Sequence, residues 1–160
     1  EQNHLDCLTS AKNRKAYDEK IQEHLALFKR YKNKFSLIIF DIDDFKKVND
    51  LYGHKIGDKV LIELVEIVNT HIRKNDFLFR VGGEEFVIIL SETNLESAKF
   101  VTENIRKNVE KELTSMNNEV VTVSMGLTEI QEDDTEDSLY TRADMLLYDS
   151  KKQGKNKISY

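Results

Sequence analysis

The sequence predicts an α+β domain: one mostly antiparallel central sheet of about five strands with helices packed on it. Three observations predict it. The run Phe35-Ser36-Leu37-Ile38-Ile39-Phe40 is almost continuously apolar, as a central strand buried on both faces must be. Phe77-Leu78-Phe79-Arg80-Val81 and Phe86-Val87-Ile88-Ile89-Leu90 flank Gly82 and Gly83 and read as a hairpin. Segments with helical spacing separate these strands, which places crossover helices against the sheet.

In chain order, residues 11–31 read as a helix, with Tyr17, Ile21, Leu25 and Phe28 on one face. The first strand ends at Asp41. A short polar helix over 45–51 follows, then an amphipathic one through Val60, Leu61, Leu64, Val65, Val68 and Ile72. The diglycine between the hairpin strands predicts a tight primed turn with positive φ. Thr93 and Glu96 predict a capping box for a helix that carries Ala98, Val101, Ile105 and Val109. Val121, Val123, Met125 and Leu127 alternate as a strand does, and an acidic loop runs from Glu132 to Asp137. A last helix carries Leu139, Ala143, Leu146 and Leu147, and residues 157–160 are expected to add a terminal strand.

The 160 residues suit a single domain over 1–160. The formal net charge is −5 and no dense basic patch exists, which argues against nucleic acid as a partner. A nucleotide needs only a few local cations. Cys7 is the one cysteine, so no disulfide forms within the chain and a reducing, cytoplasmic setting is expected. No apolar run is long enough to span a bilayer, so this domain is expected to make no direct membrane contact, although it would suit the cytoplasmic part of a membrane-anchored protein. The chain begins at Glu1 rather than Met and is expected to be a fragment of a longer protein with an upstream regulatory segment.

Two acidic segments carry candidate chemistry. Asp41-Ile42-Asp43-Asp44 directly follows a buried strand, which would hold hard oxygen ligands suited to Mg²⁺ rigidly at a sheet edge. A calcium-binding EF-hand loop is excluded, because Phe45 and Lys46 stand where Asp or Asn and then Gly are required. On its own the cluster reads first as an acidic helix start. Glu84 and Glu85 follow two glycines that would let a phosphate or metal approach the backbone; alone they read first as a solvated turn. If the two segments are neighbours in the sheet, their carboxylates converge on one metal site.

Gly82-Gly83-Glu84-Glu85-Phe86 resembles the signature of the GGDEF family, the diguanylate cyclases, in its Glu-for-Asp variant. Asp6-Cys7-Leu8-Thr9 with Asn13-Arg14 resembles the family's opening motif. Asp41-Ile42-Asp43-Asp44-Phe45-Lys46, Asn49-Asp50, Gly53-His54 and Gly57-Asp58 resemble its second block. Val121-Thr122-Val123-Ser124-Met125-Gly126 resembles a late strand, and Ala143-Asp144, Tyr148, Lys151, Gly154 and Asn156 resemble the closing block. The fold this implies is ferredoxin-like, of nucleotidyl-cyclase type.

The resemblance implies that two GTP molecules are joined into cyclic di-GMP with release of pyrophosphate, between two domains of a symmetric homodimer. It implies Mg²⁺, with Mn²⁺ as a substitute, held by Asp41, the Ile42 carbonyl, Glu84 and Glu85, with Glu84 or Glu85 as the catalytic base unless water takes the proton. Asn49, His54 and Asp58 match substrate-pocket positions, Asn49 and Asp58 as guanine readers. A carboxylate suits the N1–H and N2–H₂ edge of guanine. His54 reads equally as a structural histidine at a helix junction. Amides around Asp44, Phe45 and Lys46 would cradle the terminal phosphates, and Lys151 and Lys155 would hold them as cations. Lys151 and Lys155 also read as a basic helix end. Arg73 and Asp76 match the family's product-inhibition site, where Arg would pair with guanine O6 and N7 and Asp with N1 and N2.

Several positions depart from the family pattern. Ser10-Ala11 stand in place of Gly-Leu, Lys15 replaces an Arg, and Lys155 replaces an Arg, which keeps the charge but loses the bidentate fork. The rival readings are a catalytically idle receptor for cyclic di-GMP, a GTP-binding regulatory module, and an enzyme making a mixed guanine–adenine dinucleotide. Asp58 opposes the last, because a carboxylate disfavours the adenine edge.

Overall fold

Strand β1 (Phe35–Ile42) is buried at every position, which accounts for its lack of polar alternation. The computed structural model describes residues 2–160. Glu1, on which the expectation of a longer protein rests, lies outside the described residues. The sheet also contains β2 (Asp76–Arg80), β3 (Glu85–Ser91), β4 (Val123–Glu129) and β5 (Ile158–Ser159), in the order β2-β3-β1-β4-β5. The β2–β3, β3–β1 and β1–β4 ladders are antiparallel, and β5 joins β4 in parallel. The fold is therefore α+β around a mostly antiparallel five-stranded sheet.

The period-two geometry of strands sends alternate side chains to opposite faces, and each face has its own core. Phe35, Leu37, Ile39, Val87 and Ile89 pack with Ala16, Tyr17 and Ile21 of α1 (Arg14–Tyr31) and Leu139, Ala143 and Leu147 of α5 (Glu136–Lys152). Ile38, Phe40, Phe86, Ile88 and Met125 pack with residues of α2 (Phe45–Tyr52), α3 (His54–Asn69) and α4 (Leu95–Glu112). Phe40 and Phe86 stack across the β1–β3 ladder at 5.3 Å. On β4, Gly126 admits α5 to close range: a methyl there would stand 2.2 Å from the Ala143 carbonyl oxygen.

Four expectations need correction. Helix α1 begins at Arg14, because Asn13 caps it by accepting from the Ala16 amide at 3.0 Å. Just before it, Lys12 makes an isolated bridge to Phe79 of β2. Thr93 is not a helix cap. It is buried and accepts from Arg73, while Asn94 caps α4 through the Ser97 amide. The hairpin is not a two-residue primed turn. Residues 81–84 separate its strands, neither Gly82 nor Gly83 has a positive φ, and Val81 and Gly82 both donate backbone N–H to Glu85 O. The terminal strand is only Ile158–Ser159.

Candidate active site

The β1–β3 register places Asp41 directly opposite Glu85, so both acids project from the same face at the same end of the sheet. Glu84 closes the hairpin turn immediately before β3. Asp41 is 6% exposed. Its Oδ2 accepts a hydrogen bond from Lys151 Nζ, whereas its buried Oδ1 has no partner. Burial pushes the Asp41 carboxyl above the ordinary range, and Asp43 and Glu85 add to the rise, against the pull of Lys151. Burial likewise raises Glu84, reinforced by the charge of Asp41. Three carboxylates thus meet one lysine, and the surplus is negative.

Among the described residues, no set of three His, Cys, Asp or Glu side chains closes around a single point as a metal cage. Mg²⁺ does not require such a cage, since it is held by few carboxylates and completes its shell with water and phosphate oxygens. The orphaned Asp41 Oδ1 is a free acceptor of the required kind. A Cβ at Gly83 would meet nothing within 4 Å, whereas one at Gly82 would stand 3.4 Å from Glu85 Cβ.

The lysines reach this end from the other side of the chain. Gly126 lets α5 lie close on β4, and the last turn of that helix carries Lys151 to Asp41. Lys155 lies in the following turn and donates to Asp44 Oδ1 at 2.6 Å. Asp44 precedes α2 in a left-handed conformation, φ 56°, so the first turn of α2 opens beside this pair. Phe45 is buried there and Lys46 is exposed, its ammonium bonded to Asp50 at 2.9 Å.

Asn49, His54 and Asp58, the remaining substrate-pocket candidates, lie on α2 and α3. Asn49 lies against Gly57, where a methyl would stand 1.9 Å from Asn49 Oδ1. Gly57 is thus the residue that lets the Asn49 amide lie against α3. His54 and Asp58 are both exposed and one helical turn apart, so they share a face.

Arg73 and Asp76 stand at the opposite end of the sheet, where Asp76 pairs with Leu90. Asp76 accepts from Arg73 Nε at 3.0 Å and Nη2 at 2.8 Å, and from the amides of Arg73 and Ser91. Its side chain is 1% exposed, against 58% for Arg73. Asp76 therefore orients the arginine and offers no free edge to a base. Arg73 borders a cavity of about 280 Å³ lined also by His24, Lys34 and Phe77.

Sequence reasoning missed Arg80. Its guanidinium donates to the Gly83 carbonyl at 2.7 and 3.0 Å and to Asp6 at 3.1 and 3.3 Å. Asp6 also accepts from the Thr9 amide and hydroxyl. The opening motif thus braces the diglycine turn. The legible signal was a lone arginine in an otherwise apolar strand run. Ser10, which stands where the family pattern has Gly, holds φ 65°, so the backbone there is one that glycine adopts more easily.

Carboxylates and lysines are thus gathered at one end of the sheet of this α+β fold. The chain belongs to the family described as diguanylate cyclase, GGDEF domain, which it matches over residues 3–157. It is 40% identical over 161 residues to the probable diguanylate cyclase DgcT of Escherichia coli (strain K12), covering 97% of this chain and 35% of that protein. The chain spans less than two thirds of the length of such curated relatives. The GGDEF domain of DgcB from Caulobacter crescentus, solved in complex with c-di-GMP, superposes with a TM-score of 0.92 at 32% identity, covering 98% of this chain and 92% of that one. The active GGEEF domain of a diguanylate cyclase from Vibrio cholerae gives 0.86 at 34% identity, covering 95% and 96%. Among the described residues no helix is long and apolar enough to cross a membrane.

Proposed function

We propose that this chain is a catalytic diguanylate cyclase domain that condenses two GTP molecules into cyclic di-GMP. The observation that carries this is Asp41: a buried carboxylate with one oxygen unpartnered, opposite Glu85, beside Glu84 and paired to Lys151. A buried unpaired acceptor is costly unless a ligand completes it.

Each of two domains binds one GTP. Asn49 and Asp58 read guanine, with His54 bordering the same pocket. Amides at the start of α2, around Phe45 and Lys46, receive the terminal phosphates together with Lys151 and Lys155. Asp41, the Ile42 carbonyl, Glu84 and Glu85 would hold Mg²⁺, or Mn²⁺ in its place, which supplies charge neutralisation at the phosphates and acidifies the attacking hydroxyl. The ribose 3′-oxygen of one GTP forms a bond to the α-phosphorus of the other, and the bond to the bridging oxygen of pyrophosphate breaks. The hydroxyl proton leaves to Glu84, Glu85 or water. Two such attacks close a product of two-fold symmetry, and a symmetric homodimer brings the two sites face to face. Catalysis comes mainly from positioning and electrostatics.

Arg73, oriented by Asp76, is the proposed inhibitory contact for cyclic di-GMP. Arg73→Ala is expected to raise the product plateau severalfold, measured by chromatography of long incubations. The function itself is tested by incubating protein shown to be dimeric by light scattering with GTP and Mg²⁺. Pyrophosphate and cyclic di-GMP are expected in a ratio of about two to one. A dimer that releases no pyrophosphate yet binds cyclic di-GMP would instead be a receptor.

A further inference from the structure

Asp43 stands two residues beyond Asp41 but belongs to a different set of contacts. It is 7% exposed, and both carboxylate oxygens are engaged. Oδ1 accepts from Ser124 Oγ at 2.6 Å; Oδ2 accepts from Thr122 Oγ1 at 2.7 Å and from the Asn156 backbone amide at 3.0 Å. The Asn156 amide also donates to Ser124 Oγ at 3.2 Å. One side chain thus ties the end of β1 to the start of β4 and to the turn after α5.

That turn is strained. Gly154, Lys155 and Asn156 have φ of 117°, 66° and 52°, three consecutive residues in the left-handed half of φ space, two of them not glycine. Such a backbone persists only where its surroundings fix it. Asn156 is gripped on both sides: its amide by Asp43 and Ser124, and its side chain by Arg106 and Glu110 of α4. Lys155, the residue immediately before this anchor, reaches Asp44 at the start of α2.

We propose that Asp43 is a positioning residue for the triphosphate: it locks the left-handed Lys155–Asn156 turn and thereby fixes where the Lys155 ammonium stands. The inference rests on the reading of this end of the sheet as a GTP site. Asp43 touches no phosphate itself; it acts through Lys155. A long, flexible lysine depends more on such support than an arginine fork does, because it brings no planar geometry of its own.

The test is a double-mutant cycle on GTP kinetics with Mg²⁺, joined to amide exchange in the ligand-free protein. Asp43→Asn keeps the shape but faces the Asn156 N–H or the hydroxyls with an NH₂ group. It is expected to raise KM for GTP about tenfold, with kcat changed less than about twofold, as loss of one charged contact common to bound substrate and transition state does. Lys155→Ala is expected to do the same, and the double variant to be no worse than either single variant by more than about twofold. Independent effects that multiply to about a hundredfold, or a kcat loss without a KM change, overturn the proposal. In the ligand-free protein, Asp43→Asn is expected to speed exchange of the Asn156 amide at least about tenfold. If wild type neither binds nor turns over GTP, the cyclase reading fails, and this exchange measurement still decides the role of Asp43: an unchanged rate refutes it. Should Asp43→Asn not fold by circular dichroism, Ser124→Ala carries the same readouts, with an expected KM rise of about threefold. No shift in KM or exchange with Ser124→Ala would likewise refute it.

Discussion

The two ends of the β1–β3 ladder each hold cations beside carboxylates, yet they are built on opposite principles. Glu85 and Ser91 bound β3, so about 20 Å of strand separates them. At the Arg73 end, Asp76 is closed: buried, with both oxygens bonded to Arg73 and to the Ser91 amide. At the Asp41 end the accounting is incomplete: Asp41 Oδ1 has no partner, and burial holds Asp41 and Glu84 above the ordinary carboxylate range. A saturated pair stabilises a fold, whereas an unsaturated cluster waits for a ligand. The difference teaches that the acid end keeps an unpaired acceptor for the proposed ligand, whereas the Arg73 end presents a single oriented guanidinium.

The largest expected effect tests the acid end directly. Glu84→Gln should lower pyrophosphate release by about 10³-fold or more while leaving the circular dichroism spectrum unchanged. Turnover near wild type would remove Glu84 from the mechanism. The next tests closure at the other end. Asp76→Ala should destabilise the protein by about 2–3 kcal/mol in urea unfolding, because it strands a buried amide and a half-exposed arginine. A loss under about 0.5 kcal/mol would show that Asp76 does not hold this edge.

Two smaller effects sharpen the contrast. Ser10→Gly relieves a left-handed serine in the motif that braces Arg80, and should stabilise the fold by about 0.5–1 kcal/mol. A destabilisation would mean that the serine hydroxyl or the loss of unfolded-state entropy outweighs the strain. Asp41→Asn should change ligand-free stability by less than about 1 kcal/mol in either direction, since the group removed was only half paired. The same variant should abolish the rise in melting temperature on adding GTP and Mg²⁺. A loss comparable to that of Asp76→Ala would erase the distinction between the two ends.

Much of this was legible in the chain. The apolar run 35–40 suited a strand covered on both sides, as it proved, and the hairpin and helices followed from period and punctuation. The Thr93 cap failed because Asn94 competes for the same role and Arg73 claims the threonine. The primed turn failed because Arg80 and the Glu85 carbonyl hold a longer loop that sequence spacing does not reveal.

The sequence by itself determined the strand and helix order, the family, and which acids and lysines were candidates, because these depend on local period and on motif spacing. Only the tertiary structure decided that Asp41 faces Glu85, that Asp43 turns away to hold the Lys155–Asn156 turn, and that Asp76 is shut while Asp41 is left open. The physical reason is that register and burial are set jointly by strands far apart in the chain. A carboxylate's partners, and hence its charge state and purpose, exist only once those strands are paired.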